Sequence, residues 1–191
     1  MSKLYFRYGA MNSGKSTNLM QVAYNYEERG MKVLLIKPST DKKGGDKLVS
    51  RLGVERKVDL LINDDQNEVK KWQDEKYKID CILVDEVQFF KAYQIDQLFE
   101  IAVCLDIPVI CYGLRTDFKM QGFEGSTRLL LLAHSIEELK TICKCGKKAI
   151  LNGRKINGKF VFEGEQVAID NIDNVEYESL CGHCYFKFKN Q

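Results

Sequence analysis

Residues 9–16 read GAMNSGKS, two residues after the apolar stretch LYF at 4–6 and directly before TNLMQVAYNYEERG. Gly9, Gly14, Lys15 and Ser16 fit the pattern G-x-x-x-x-G-K-[ST] of a phosphate-binding loop. The two glycines let the backbone wrap closely and turn its N–H groups inward, and a helix that follows adds its positive N-terminal end. Because the run stands between a predicted strand and a predicted helix, we interpret it as a phosphate site. Lys15 would reach the β- and γ-phosphates, and Ser16 would ligate Mg²⁺.

The segments around this loop alternate between short apolar runs and helical patterns. The predicted strands cover 3–8, 32–38, 81–86 and 107–113, and the predicted helices cover 17–29, 69–77 and 92–106. The strands lack polar alternation, which is typical of a parallel sheet covered by helices on both faces. The sequence therefore predicts an α/β core. The charged stretch 39–57 is predicted to be a mobile loop or an extended arm.

Length and composition are those of an ordinary globular chain. The 191 residues suffice for one large core with a small appendage, and no apolar run approaches the roughly 20 residues that span a bilayer. The net charge of +2 provides no basic field of the kind that binds nucleic acid. Seven cysteines without a secretory signal favour a reducing compartment, so we expect a cytoplasmic protein.

An acidic pair follows the third predicted strand. The apolar run at 82–84 leads into Asp85 and Glu86, at the carboxyl end of the strand, where ligands bind in open α/β sheets. Asp85 would hold Mg²⁺, and Glu86 would accept a proton from an attacking hydroxyl group or water. Both an ATPase and a small-molecule kinase need two such carboxylates, so these residues alone do not separate the two activities.

The seven cysteines fall into two classes. Cys81, Cys104 and Cys111 lie within apolar runs, and we interpret them as core residues. The other four form the pairs CKC and CGHC and predict a closed, structural, tetrahedral zinc site. These four are Cys143, Cys145, Cys181 and Cys184. His183 is an alternative ligand, and four free thiols are the alternative to a metal site.

Five segments, in this order and at this spacing, resemble the cytosolic type II thymidine kinases. They are YGAMNSGKST, ILVDEVQFF, YGLRTDF, GSTRLLLLAHSIEELKTICKCG and YESLCGHCYF, and the similarity runs from residue 3 to about residue 188. The resemblance implies a RecA-like P-loop domain, at 1–141, and a small zinc-binding domain, at 142–191. A loop of the second domain, the lasso at 167–175, would close over thymidine.

The same resemblance implies an activity and its partners. The family transfers the γ-phosphate of ATP to the 5′-hydroxyl of thymidine with Mg²⁺, in pyrimidine salvage for DNA synthesis. The implied assembly is a homotetramer, and the implied feedback inhibitor is dTTP. We expect neither a stable nucleic-acid partner nor a membrane partner.

By this resemblance, the family's site residues have counterparts in this chain. Glu86 corresponds to the catalytic base, and Ser16 and Asp85 are the expected magnesium ligands. The thymidine contacts correspond to Met11, Phe89, Leu114, Phe118 and Tyr177. The ATP contacts correspond to Gly9, Ala10, Met11, Asn12, Ser13, Gly14, Lys15, Ser16, Asp85, Glu86, Val87 and Gln88.

The sequence departs from the family in three places. The first cysteine pair is C-x-C rather than C-x-x-C, the lasso lacks the usual Gly-rich turn, and Arg51 stands where a histidine is common. Asp and Asn tolerate the left-handed conformation that the missing glycines would serve, so the turn of the lasso can survive.

Two other functions compete with thymidine phosphorylation. The first is a nucleic-acid-stimulated P-loop ATPase with a zinc ribbon, since DEVQ at 85–88 resembles the acidic box of helicases. The near-neutral charge and the lack of room for a second motor domain argue against it. The second is a binding module whose C-terminal unit is fastened by zinc, and the intact phosphate loop with its acidic pair argues against that function.

Overall fold

The computed structural model describes residues 1–40, 46–49, 53–64, 78–167 and 174–191. The predicted helix at 69–77, Arg51 and residues 168–173 of the lasso lie outside these ranges. Within the described ranges, none of the helices combines the length and the apolar character needed to cross a membrane.

In the described ranges, helices and strands are interspersed up to α3, and strands predominate after it. The strands are β1 Leu4–Tyr8, β2 Val33–Pro38, β3 Lys47–Val49, β4 Glu55–Lys57, β5 Leu60–Ile62, β6 Cys81–Val84, β7 Val109–Gly113, β8 Ser135–Glu138, β9 Thr141–Ile142, β10 Lys148–Ala149, β11 Leu151–Ile156, β12 Lys159–Val161 and β13 Val175–Leu180. The helices are α1 Lys15–Glu27, α2 Ala92–Cys104, α3 Glu124–Leu132 and α4 Gly182–Lys189, and Val87–Phe89 forms one turn of 3₁₀ helix.

Six strands form a parallel sheet in the spatial order β5-β2-β6-β7-β1-β8. The predicted α/β core is therefore confirmed, and β1, β2, β6 and β7 match the four predicted strands. The sequence does not predict the edge strands β5 and β8, because the apolar run LLI of β5 is only three residues long and the run SIEE of β8 is mostly polar. Since β6, β7 and β1 are parallel neighbours, the segments that follow them meet at one edge of the sheet.

Helices cover both faces of this sheet. On one face, Leu19 and Ala23 of α1 share a buried cluster with Leu35, Leu83 and Tyr112 of the strands. On the other face, α2 and α3 pack against the sheet through a second cluster that includes Phe6, Ile82, Ile95, Leu98 and Leu129. Burying a side chain of this size stabilises the fold by about 1.5–3 kcal/mol. The two clusters thereby hold the carboxyl edge of the sheet in place.

Part of the charged stretch 39–57 folds as an antiparallel ladder of β3 and β4. Leu48 is buried in the cluster on the α1 side of the sheet. Arg56 donates two hydrogen bonds, of 2.6 and 2.8 Å, to the carboxylate of Glu27 in α1. The described residues of this stretch are therefore docked on the core, in place of the predicted loop or extended arm.

The C-terminal residues have an apolar cluster of their own. β11 lies between β12 and β13 in an antiparallel sheet, and α4 packs against it. The cluster combines Leu151, Leu180 and Tyr185 with cysteines of the two pairs. The predicted boundary between residues 141 and 142 falls inside β9, so the division into 1–141 and 142–191 stays a prediction.

The three cysteines outside the pairs differ in burial. Cys81 and Cys111 are buried in the core, and burial raises the pKa of both thiols, that of Cys81 to about 12. The prediction that Cys104 is also a core residue is wrong, because it is exposed. It is the last residue of α2, where the helix runs past the part that packs on the sheet, and residues 104–106 are all exposed.

Candidate active site

The phosphate loop, residues 9–16, joins β1 to α1. A side chain at Gly9 has no room, since a Cβ atom there would lie 2.3 Å from the Ser13 hydroxyl oxygen. Asn12 and Gly14 adopt left-handed conformations, with φ of 65° and 76°. Asn and Gly are the residues that tolerate this conformation best, so the tight winding of the loop follows from its sequence.

Lys15 is the first residue of α1, and its side chain turns back into the loop. Its buried Nζ donates to the carbonyl oxygens of Gly9 at 3.3 Å and Ala10 at 2.9 Å, and to the hydroxyl of Ser13 at 3.3 Å. The half-buried Ser16 follows in the first turn. The predicted loop residues thus surround an ammonium group at a helix N-terminus, where positive potential is concentrated.

The acidic pair lies where the sequence predicts it, directly after β6. Asp85 is 3% exposed, and its N–H donates to the carbonyl of Ile36 at 3.0 Å. Glu86 is half-buried and has a left-handed backbone, with φ of 48°. Such a conformation is uncommon outside glycine and costs on the order of 1 kcal/mol. It breaks the path of β6 and starts the 3₁₀ turn at 87–89.

Gln88 fixes the carboxylate of Glu86. Its side chain is buried; Nε2 donates to Glu86 Oε2, and Oε1 accepts from the N–H of Leu114 at 3.0 Å. A Cβ atom at Gly113 would lie 2.5 Å from Gln88 Oε1, so a larger residue here would push the Gln88 side chain out of its present position. The amide of Gln88 therefore connects Glu86, in the segment after β6, to Leu114, the residue after β7. The resemblance had assigned Gln88 to the ATP contacts.

Two of the predicted thymidine contacts, Phe118 and Tyr177, meet around one cation. The Cζ atom of Arg154 lies 3.7 Å from the ring centroid of Phe118 and 5.4 Å from that of Tyr177. Phe118 is 1% exposed, whereas Tyr177 is half-buried. Phe89, a third predicted contact, belongs to a separate group, since it packs edge-on against Phe123 with centroids 5.7 Å apart.

The four paired cysteines form one cluster. All ligand atoms of Cys143, Cys145, Cys181 and Cys184 lie within 4.8 Å of one another. Four thiolates about 2.3 Å from a shared zinc ion would stand at comparable separations, so the cluster could hold a metal such as zinc. The exposed His183 is not part of the cluster. This donor set leaves no protein ligand position open, as in structural rather than catalytic zinc sites.

Local backbone geometry explains how a C-x-C pair can serve this cluster. Gly146, with φ of 83°, donates its N–H to the carbonyl of Cys143 at 2.8 Å, which closes a tight turn around Cys145. In the second pair, the N–H of Cys184 donates to Cys181 Sγ at 3.4 Å. This bond, together with side-chain hydrogen bonds from the other three cysteines of the cluster, lowers the pKa of Cys181 to about 7 and so favours the thiolate, the form that binds metal.

Comparison with known proteins places this site in a family. The family model described as thymidine kinase matches residues 2–185. The chain belongs to the thymidine kinase family. It is 44% identical over 187 residues to the thymidine kinase of Francisella tularensis subsp. holarctica (95% of each chain), and 46% identical over 191 residues to that of Shewanella oneidensis (98% of each chain). A Pif1 helicase structure from Candida albicans matches with a TM-score of 0.43 and 15% identity, over 74% of this chain and 36% of the other.

In this thymidine kinase family member, two buried residues of β11, Asn152 and Arg154, are not predicted as site residues by the sequence. Asn152 is 3% exposed; its Oδ1 accepts from the N–H of Met11 at 2.8 Å, and its Nδ2 donates to the carbonyl of Thr116 at 3.0 Å. It thereby links the phosphate loop to the segment that follows β7. The available signal was the pattern N-G-R, which puts two polar side chains on one face of a strand.

Proposed function

We propose that this chain transfers the γ-phosphate of ATP to the 5′-hydroxyl of thymidine, giving dTMP and ADP. The observation that carries the proposal is a phosphate loop beside a carboxylate pair at one sheet edge, in a chain of the thymidine kinase family. Phosphoryl transfer depends on positioning and charge stabilisation more than on covalent chemistry. This site has residues suited to each of these two tasks.

The phosphate loop would bind the triphosphate. Backbone N–H groups of 9–16 and the N-terminus of α1 would contact phosphate oxygens, and Lys15 would exchange carbonyl partners for the β- and γ-phosphates. Ser16 and Asp85 offer the oxygen ligands that Mg²⁺ prefers, and we assign them as its protein ligands. Bound Mg²⁺ would neutralise charge that develops on the phosphate oxygens.

Glu86 would act as the general base. Its carboxylate would accept the proton of the 5′-hydroxyl as that oxygen attacks the γ-phosphorus. The left-handed turn at Glu86 and the amide of Gln88 hold the carboxylate in one orientation. This arrangement favours proton transfer because the base does not have to be reoriented in the transition state.

The nucleoside would lie against the predicted apolar contacts. Met11, Phe89, Leu114, Phe118 and Tyr177 supply walls of the kind that a flat pyrimidine ring needs, with backbone groups available for its polar edge. Excluding water from this pocket would protect ATP from hydrolysis. The four paired cysteines would hold zinc in a structural role. A homotetramer, inhibition by dTTP and a cytoplasmic location complete the proposal.

The test is an ADP-release assay in which thymidine, deoxycytidine and single-stranded DNA are offered separately, with dTMP detected directly by chromatography. We expect ADP release to follow thymidine and to match dTMP formation one to one. Stimulation by single-stranded DNA, without dTMP, would reject the proposal in favour of a nucleic-acid-stimulated ATPase.

A further inference from the structure

We propose that Arg154 is a positioning residue that sets the affinity for the nucleoside by holding Phe118 and Tyr177 in a fixed relation. The inference rests on the proposed function, since it concerns the thymidine side of that site. Arg154 lies in β11 directly opposite Tyr177 of β13 in the antiparallel register. It is charged and yet buried, at 4% exposure.

The guanidinium group of Arg154 contacts both predicted aromatic walls. Its Cζ atom lies over the ring of Phe118, 3.7 Å from the centroid, and its Nε donates to the hydroxyl of Tyr177 at 3.0 Å. The hydroxyl of Tyr177 is thereby held at a defined point relative to the ring of Phe118. Phe118 is also held by its backbone, because the buried Tyr185 hydroxyl donates to its carbonyl at 2.7 Å.

The other two nitrogens of Arg154 hold the start of the segment that leads into the lasso. Nη1 donates to the carbonyl of Glu165 at 2.7 Å, and Nη2 donates to the carbonyl of Gln166 at 2.8 Å. Gln166 in turn donates from Nε2 to the carboxylate of the buried Asp117, next to Phe118, at 3.1 Å. One side chain thus connects β13, the 165–166 segment and the loop after β7.

The chemistry of these contacts requires arginine. In the described part of the chain, its hydrogen-bond acceptors are one hydroxyl and two carbonyl groups, all of them neutral. A buried cation without an anionic partner is costly, so a merely structural role would be served better by an apolar residue. A planar guanidinium can stack on a ring and donate in its own plane at the same time, whereas a lysine ammonium cannot.

Lys155 offers a matched control on the same strand. Its side chain is also mostly buried and lies over an aromatic ring, with Nζ 4.7 Å from the centroid of Phe160. Lys155 pairs with Glu178, however, and the predicted thymidine contacts are not among its partners in the described chain. Arg154→Met and Lys155→Met therefore remove comparable buried cations on opposite faces of β11.

The experiment measures KM for thymidine, KM for ATP and kcat in wild type, Arg154→Met, Arg154→Lys and Lys155→Met. We expect Arg154→Met to raise KM for thymidine at least about 10-fold and KM for ATP less than about 2-fold, with only partial recovery in Arg154→Lys. Lys155→Met should change neither KM. An unchanged thymidine KM in Arg154→Met, or an equal rise in Lys155→Met, would overturn the inference.

A double-mutant cycle with Tyr177→Phe tests the route of the effect. If Arg154 acts through the hydroxyl of Tyr177, the effects of Arg154→Lys and Tyr177→Phe on thymidine KM will be less than additive. Full additivity would show that Arg154 does not act through Tyr177 and would contradict the proposal.

If Arg154→Met does not fold, the double-mutant cycle, which does not use that variant, is by itself the test of the proposal. Failure of the wild type to form dTMP would refute the proposed function, which keeps the two failures distinct.

Discussion

At the scale of single residues, the acidic pair shows how local backbone geometry places a chemical group. Glu86 leaves the path of β6 because its φ is 48°, and Gln88 then reaches its carboxylate from within the 3₁₀ turn. Gly113 leaves space for the side chain of Gln88, and Gln88 Oε1 accepts a hydrogen bond from the N–H of Leu114. The carboxylate of the proposed base is therefore held by a buried amide that has partners at both ends.

This arrangement predicts a selective kinetic effect of Gln88→Met. The variant keeps the volume of the side chain but loses the hydrogen bond to Glu86, so kcat should fall about 10-fold or more. Gln94→Met is the matched control, since Gln94 is equally buried but its side chain bonds to the backbone of Lys91, just before α2, and of Asn63, just after β5. Steady-state kinetics should show a normal kcat in the control. A normal kcat in Gln88→Met would mean that Gln88 has no influence on the base.

At the scale of elements, the sequence predicts what is local and misses what is distant. Apolar runs in the sequence predict four strands, β1, β2, β6 and β7. The phosphate-loop motif predicts α1, because such a loop is followed by a helix. The four-residue β8 gives no such signal, because it is stabilised by pairing with β1. The residues missed in the site are of the same kind: Asn152 reaches Met11 across 141 positions of sequence. Such a contact depends on how the C-terminal sheet packs, which no local pattern encodes.

The ion pairs of β13 allow a prediction of pH dependence. Glu178 accepts from Lys144 at 3.1 Å and also from Lys155. Burial raises the pKa of this carboxyl group, but the two lysine hydrogen bonds outweigh burial and leave the pKa below its usual value of 4.5. A lowered pKa means that the pairs stabilise the fold above about pH 4.5 and lose their effect as the pH falls through the folded-state pKa.

Glu178→Gln should therefore lower the free energy of unfolding by about 1.5–3 kcal/mol at pH 7, the usual worth of hydrogen bonds to charged groups. The difference between wild type and variant should shrink as the pH is lowered from 5 towards 3.5. Urea unfolding of both proteins at each pH gives this difference. Other effects of pH on stability act on both proteins and cancel in the difference. A difference that grows in acid would contradict the assignment.

At the scale of the whole molecule, the cysteine cluster and the proposed nucleotide site are structurally connected. The cluster fastens the turn at 143–146 to α4, and β11 and β13 pack beside it. Those strands carry Asn152, which holds the phosphate loop, and Arg154, which holds two aromatic residues of the proposed pocket. Loss of the metal should thus affect activity as well as stability.

We expect elemental analysis to find one zinc ion per chain. Removal with a chelator should lower Tm and raise KM for thymidine, and both should recover when zinc is added back, because the four thiolates hold the ends of the C-terminal unit. Cys145→Ser should reproduce the loss without chelator, whereas Cys104→Ser, at an exposed cysteine outside the cluster, should behave as wild type. A fully folded, metal-free protein with normal kinetics would contradict a structural zinc site.

The most direct test of the account is the turnover of Glu86→Gln, which keeps the shape of the side chain and removes its basicity. We predict that the affinity for ATP, measured by calorimetry, stays within about 2-fold of wild type, while kcat for dTMP formation falls at least roughly 100-fold. Turnover near the wild-type value would show that Glu86 does not take the proton of the 5′-hydroxyl.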